Sequence, residues 1–345
     1  MSCINTVSIL MCVYNGERFL IEQLESIRNQ TYQPDEVAVY DDGSTDLSIE
    51  IINTFISKYN LESTWRIAVN STRKGWRKNF YDAITECNSD YIFFCDQDDI
   101  WHPDKILVMM NTMQENPNIL VLNGLIETID SDGNHIDVLD WTKSNTYDRK
   151  IIRIGIGEIA HAWKHRVGCA MAIRKIVKEQ LKYFECNEYF AHDTWANDIG
   201  ALLNGCYSIN YPVIKYRVHE DNATARNTVK ALNREERIQK LEGKINGLRY
   251  ISKGIGLINT ELINEHEYSI FINAVYFYEF KVSSIKEQKP TNALGIFLYI
   301  KLYLNYFNFK QFVVDILEAL NLRDNARAIK HSIKTALRHQ ERKHL

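Results

Sequence analysis

Four short runs near the start of the chain, Val7–Val13, Glu36–Tyr40, Ile67–Val69 and Tyr91–Cys95, are rich in β-branched, aliphatic and aromatic residues. That is the pattern of buried strands. The intervening segments instead repeat their apolar residues with helical spacing: Phe19, Leu20, Leu24 and Ile27, then Ile49, Ile52, Phe55, Ile56 and Tyr59. A shorter helix is expected through Ala83 and Ile84, and another over Lys105–Gln114. Strand and helix alternate with tight turns, which predicts a mostly parallel sheet carrying helices on both faces. Polar turns at residues 14–17, 41–46 and 96–99 each follow a strand directly. Ligands of open parallel sheets sit outside the carboxyl ends of the strands, so these turns are expected to converge on one crevice.

The pattern is less regular further on. Leu120–Glu127 reads as a strand and Asp130–Asn134 as a hairpin turn whose aspartates are turn formers. Residues 141–166 show no clear period and are expected to form a mobile loop. An apolar run follows at Gly168–Ile173, and Tyr189–Trp195 leads into an apolar helix near Ile199–Leu203. From about Val229 only long helical patterns remain. The expected fold class is therefore α/β, with a C-terminal helical extension. Residues 1–225 form the expected ligand-binding domain and 226–345 the helical region. Ala293–Ile316 is aromatic-rich and broken by Lys301 and Lys310. It suits either a helix packed on protein, a second copy included, or one lying at a membrane interface.

With 345 residues, 45% hydrophobic and 25% charged, the chain has the composition of a folded globular protein. Its net charge of −3 hides an asymmetry. Residues 1–225 carry 21 Lys+Arg against 32 Asp+Glu, whereas 226–345 carry 20 against 12. The basic tail from Arg323 is expected to be exposed, and a helical region of this charge suits an anionic surface or simple solvation. No nucleic-acid partner is expected. Seven scattered cysteines without a Cys-x-x-Cys pair point to buried thiols in a reducing cytosol and away from structural zinc. No signal peptide is evident and no run reaches eighteen apolar residues, so a transmembrane helix is not expected.

The chemistry concentrates in Asp96-Gln97-Asp98-Asp99, three carboxylates within four residues at a strand end. Such charge is costly to bury beside a sheet unless a cation offsets it. If the extended backbone continues, Asp96 and Asp98 point one way and Asp99 the other. Two oxygens on one side suit Mg²⁺ or Mn²⁺, which would share its remaining positions with phosphate oxygens and water. Arg73, Lys74, Arg77 and Lys78 are candidate cations for a diphosphate. Asp193 precedes an apolar helix between Phe190 and Trp195. It reads equally as a partly buried general base or as a helix N-cap. His219 reads as a metal ligand or as a histidine satisfying local hydrogen bonds.

The ordered set Val7–Asn15, Tyr40–Asp46 and Asp96–Asp99 resembles the N-terminal half of a family-2 inverting glycosyltransferase with the GT-A (Rossmann-like) fold. Asp96-Gln97-Asp98-Asp99-Ile100-Trp101, with His192-Asp193-Thr194-Trp195 and Tyr216-Arg217-Val218-His219, is similar to its rhamnosyltransferase-like branch, which acts in bacterial O-antigen and capsule assembly. The resemblance spans roughly residues 5–225. It implies that Val13, Asn15 and Glu17 line a nucleotide pocket and that Asp41 contacts the base. It places Arg77 at a basic nucleotide contact, Gln97 at the nucleotide, and Asp96 with Asp98 in the Asp-x-Asp motif that binds ribose and the divalent ion. By the same resemblance Asp98 and His219 hold a divalent ion, and Asp193 is the catalytic base. Thr194 departs from the aromatic residue usual in the branch. The Gln-x-x-Arg-Trp motif of processive synthases is absent, which implies transfer of a single sugar.

The expected activity is thus transfer, with inversion, of one sugar (rhamnose or similar) from a nucleotide diphosphate donor to a glycan acceptor on a lipid carrier. The expected place is the cytoplasm or the inner membrane face, as a peripheral protein and with a homo-oligomer open. A sugar nucleotidyltransferase is the first rival, although Tyr14-Asn15-Gly16-Glu17 lacks the glycine-rich basic loop it would need. A non-catalytic glycan-binding scaffold is the second.

Overall fold

The computed structural model describes residues 5–137, 147–162, 167–220, 222, 233–287, 290–306, 309–320 and 322. The basic tail from Arg323, Cys3, and residues 141–146 and 163–166 of the expected loop lie outside the described residues. The chain divides into two compact units. The first comprises Met1–Ile159, Lys164–Lys230 and Tyr250–Tyr268, the second Ala160–Trp163, Ala231–Arg249 and Ser269–Leu345.

In the first unit the elements begin β1 (Val7–Val13), α1 (Leu20–Arg28), β2 (Glu36–Asp41), α2 (Ser48–Lys58), β3 (Trp65–Val69), α3 (Trp76–Glu86) and β4 (Tyr91–Cys95). The four strands pair in parallel in the order β3-β2-β1-β4. Their side-chain alternation divides the core. Ile9, Met11, Val39, Phe93 and Cys95 join α1 and α2 residues in one cluster. The alternate residue Phe94 meets Phe80 of α3 edge-on, with centroids 6.1 Å apart, so helices cover both faces. Val13 pairs with Asp41 and Met11 with Cys95, so β1, β2 and β4 end at nearly one level. That register brings the three polar turns together.

Beyond β4 the chain forms β5 (Ile100–Trp101), α4 (Lys105–Glu115), β6 (Val121–Ile129), β7 (Ile151–Arg153), α5 (Ile156–Ala162), β8 (Met171–Arg174), α6 (Lys175–Lys178), α7 (His192–Leu202) and β9 (Cys206–Arg217). β8 runs antiparallel to both β4 and β6, β6 is parallel to β9, and β9 takes β5 and β7 antiparallel. The expected hairpin turn is present: Asp130 N–H reaches Asn134 O at 2.9 Å. The segment expected to be an aperiodic loop instead carries β7 and α5. β7 is three residues long and only intermediate to exposed, too short to show a period. The ladder between β6 and β9 shifts register at Gly124, where a Cβ would collide with the Val213 side chain.

Among the described residues five further α-helices follow: α8 (Arg234–Ile255), α9 (Glu265–Glu287), α10 (Pro290–Phe297), α11 (Ile300–Tyr306) and α12 (Phe309–Ala319). Within the second unit Phe271, Phe277, Ile285, Ile296 and Phe312 are buried, and Lys281 pairs with buried Asp315 at 2.7 Å. Leu294, Phe297, Leu298 and Ile300 remain exposed around the end of α10. Among the described residues no helix is long and apolar enough to cross a membrane.

Candidate active site

The first turn gives its backbone to the other two. The N–H groups of Tyr14, Asn15, Gly16 and Glu17 donate to Gln97 Oε1 (2.7 Å), Ser44 Oγ (2.9 Å), Ser48 Oγ (2.8 Å) and Asp46 Oδ2 (3.0 Å). Asn15 adopts a left-handed φ of 47°, a conformation asparagine tolerates. Its Oδ1 accepts from Thr45 N–H at 2.8 Å, and Glu17 Oε2 accepts from Leu47 N–H at 2.9 Å. The Gln97 amide also donates back to Tyr14 O at 3.1 Å. Residues 14–17, 41–46 and 97 therefore form one interlocked rim.

Several expected nucleotide residues already use their polar groups inside this rim. The Val13 side chain is core, and its carbonyl accepts from Asp42 N–H at 2.8 Å. Asp41 is fully buried, with Oδ1 accepting from Gly43 and Ser44 N–H and Oδ2 from the Ser44 hydroxyl. Asp42 fixes the basic turn through Lys74 N–H and Gly75 N–H, both at 2.7 Å. Of the four expected cations, Lys74 and Lys78 both bind Asp82. Arg73 stacks 3.9 Å from the Tyr14 ring centre and exposed Arg77 lies 4.3 Å from that of Trp76.

The acidic turn differs from its expected geometry. β4 ends at Cys95, so the alternation that would have put Asp96 and Asp98 on one side does not extend to them. Carboxylate oxygens of Asp96 and Asp99 instead lie within 4.8 Å of each other and of Cys169 Sγ. Asp98 turns to His219, with Oδ2 and Nε2 2.9 Å apart, and also accepts from Asn222 Nδ2 at 3.3 Å. His219 Nδ1 is buried without a hydrogen-bond partner. Desolvation, reinforced by the charge of Asp98, pushes Asp96 up to about 7, although part of the residue remains accessible. Burial pushes Asp99 well up as well, and the charges of Asp98 and Asp96 add to it.

Arg217, quoted only as part of a motif in the sequence, is what ties this turn down. It is 1% exposed. Its N–H donates to Asp99 Oδ1 at 3.0 Å, Nε to Asp98 O at 2.8 Å, Nη1 to Ser131 O at 3.1 Å and Nη2 to Glu22 at 2.5 Å. One buried guanidinium thus joins α1, the acidic turn, the hairpin turn and the end of β9.

Asp193 is the second residue of α7, and Ala191 occupies the N-cap, so the capping alternative does not hold. Asp193 Oδ1 accepts from Thr194 N–H at 2.7 Å, and its charge reaches Asp96. The preceding His192 anchors it. The imidazole stacks on Phe80 at 3.8 Å between centroids and meets Phe94 at 5.0 Å and Trp76 at 6.3 Å. Neither ring nitrogen of His192 has a hydrogen-bond partner, and burial pulls its pKa down to about 4. A Cβ on Gly168 would collide with His192 Nε2, so the glycine is required for this fit. Aromatic packing therefore seats the start of α7 against Phe94, two residues before Asp96.

The family described as glycosyl transferase family 2 matches residues 8–181, which contain all three rim turns. The chain belongs to glycosyl transferase family 2. An uncharacterized glycosyltransferase of Haemophilus influenzae is 35% identical over 141 residues, 41% of this chain and 55% of that relative. The chain thus spans about half the length of that protein. A dTDP-rhamnosyl transferase, RfbG, of Shigella flexneri is 30% identical over 228 residues, covering 63% of this chain and 74% of RfbG. Among solved structures, S. aureus TarS 1–349 superposes with a TM-score of 0.57 at 16% identity, over 96% of this chain and 92% of TarS. That likeness is one of fold, and the fold is the GT-A arrangement expected from the sequence.

Proposed function

We propose that this glycosyltransferase moves a single sugar, with inversion, from a nucleotide diphosphate donor to a glycan acceptor in bacterial surface-polysaccharide assembly. The observation that carries the reading is the pairing of Asp98 with His219 in the acidic turn whose Asp96 feels the charge of Asp193. The proposal gives residues 1–225 the donor and the chemistry, and residues 226–345 acceptor, membrane or oligomer contacts. Asn15, Glu17, Arg77, Asp96 and Gln97 would border the nucleotide, with Val13 and Asp41 shaping the wall behind it.

The donor set of the acidic turn fits a divalent ion such as Mn²⁺ or Mg²⁺. The Asp98 carboxylate and the Nε2 atom of the His219 imidazole face each other there, and both are ligand types for such an ion. Asp98 and His219 would hold that ion, which when bound neutralises charge on the departing diphosphate. Asp193 would accept the proton of the acceptor hydroxyl as that oxygen attacks the anomeric carbon from the face opposite the diphosphate. The aromatic box around His192 orients the base, and Arg217 keeps the acidic turn from swinging away.

The name of RfbG supports a thymidine-linked deoxysugar such as rhamnose, with a uridine-linked donor, as bound by TarS, the alternative. A lipid-carried acceptor at the cytoplasmic membrane face is supported by exposed Leu294, Phe297, Leu298 and Ile300 and by the basic composition after residue 226. Flotation with anionic liposomes tests that part, and a protein left at the bottom of the gradient would remove it. The activity itself is tested by donor turnover over a panel of nucleotide sugars with and without Mn²⁺. Release of nucleoside diphosphate from one donor, abolished in Asp193→Asn, is the expected result. Pyrophosphate release from a nucleoside triphosphate would instead identify a nucleotidyltransferase.

A further inference from the structure

Lys105, the first residue of α4, is 0% exposed. Its ammonium donates to Cys169 O at 2.5 Å and lies 3.3 Å from the Trp101 ring centre. An ammonium has three donors, and a buried one needs compensation beyond one carbonyl and an aromatic face. The carbonyl that takes this donor belongs to Cys169, whose thiol sits in one cluster with the Asp96 and Asp99 carboxylates. The charges of Asp99 and Asp96 both act on Lys105, whereas burial pulls its pKa down to about 8. Seen from the carboxylates the problem is reciprocal. Asp99 is fully buried, and its Oδ2 has no hydrogen-bond partner although Oδ1 accepts from Arg217. Asp96, Asp99 and Cys169 place ligand atoms within 4.8 Å of one another, close enough to hold a cation.

We propose that Lys105 is the resident counter-cation of this inner cluster, closing it to a divalent ion so that the ion goes to the outer pair of Asp98 and His219. Lys105 is then a positioning residue, acting through the carboxylates rather than touching donor or acceptor. The proposal rests on the outer site described above in one respect only, the location of the ion. Without the ammonium, the inner carboxylates and thiol become an anionic pocket that a divalent cation fills. Without the Asp99 charge, the buried ammonium loses part of the field that offsets its desolvation.

The test compares wild type, Lys105→Met, Lys105→Arg, Asp99→Asn and the Lys105→Met/Asp99→Asn double variant in the full chain. Melting temperature is read with and without Mn²⁺, and bound Mn²⁺ is counted by electron paramagnetic resonance. In metal-free buffer Lys105→Met should melt several degrees below wild type. Lys105→Arg should recover part of that loss and the double variant most of it. Mn²⁺ should close the gap for Lys105→Met, which should bind one ion more than wild type, the extra ion disappearing in the double variant. An unchanged ion count, a gap insensitive to Mn²⁺, or strictly additive stability losses would each overturn the proposal. Should Lys105→Met fail to fold, folding of the double variant supports the pairing, and its failure as well overturns it. Wild type binding no Mn²⁺ counts against the outer site, while the metal-free stability comparison still reads Lys105 independently.

Discussion

His192 makes a sharp test of how Asp193 is held. The ring is 5% exposed and packed against Phe80, Phe94 and Trp76, and the charge of Asp193 acts on it. Burial dominates and lowers its pKa from 6.5 to about 4. The unfolded chain therefore binds a proton below about pH 6.5 that the folded chain refuses until about pH 4. The stability this confers is fully present above the upper value and is lost as pH falls through the window. A tenfold difference in proton affinity between the two states is worth about 1.4 kcal/mol, so the full loss is about 3 kcal/mol, of which about 2 kcal/mol has gone by pH 5. His192→Phe keeps a ring in the box and removes the titration. Urea unfolding of both proteins at pH 7.5 and pH 5.0 isolates the effect, because the other ionisable groups are common to both. Wild type should lose about 2 kcal/mol more than His192→Phe over that interval. Equal losses would refute the idea that a neutral, buried imidazole anchors α7.

Four further substitutions probe three separate links. Gly168→Ala should drive the ring off its seat, destabilise by about 1–3 kcal/mol and lower kcat more than donor KM. Adding His192→Ala should restore stability but not turnover, as read by urea melts and steady-state kinetics. Arg217→Met leaves the Asp98 carbonyl without its donor and removes the charge that meets Glu22, so a loss of about 3–5 kcal/mol is expected. Its Mn²⁺ affinity, measured by calorimetry, should fall even at temperatures where the protein is folded. Asp193→Asn keeps the shape of the proposed base, so nucleoside diphosphate affinity should stay within about two-fold while turnover drops by about 10²-fold or more.

The sequence carried the architecture well where period and burial agree. β1 to β4 and helices α1 to α4 follow from runs that a single local pattern describes, and parallel pairing brings their turns to one edge. It carried less where an element is too short for a period, as with β7 at Ile151–Arg153 and β5 at Ile100–Trp101. The acidic turn shows a different limit. Two-residue spacing predicts a shared side only while the backbone remains extended, and it stops at Cys95. The partners of that turn lie far along the chain: Asp98 meets His219, and Arg217 reaches Asp98, Asp99 and Glu22. No local spacing encodes such contacts. His192 was hidden for a related reason. Its neighbour Asp193 carries the motif, whereas its own environment comes from α3, β4 and Gly168.

The central claim is that an ion held by Asp98 and His219 seats a nucleoside diphosphate, and that Asp193 acts on the other substrate. Mn²⁺ electron paramagnetic resonance, with UDP and dTDP titrated into wild type, Asp98→Asn and Asp193→Asn, tests this most directly. The bound-ion signal should tighten with nucleotide in wild type and Asp193→Asn and be largely lost in Asp98→Asn. Binding in Asp98→Asn as tight as in wild type, with the same response to nucleotide, would contradict the account.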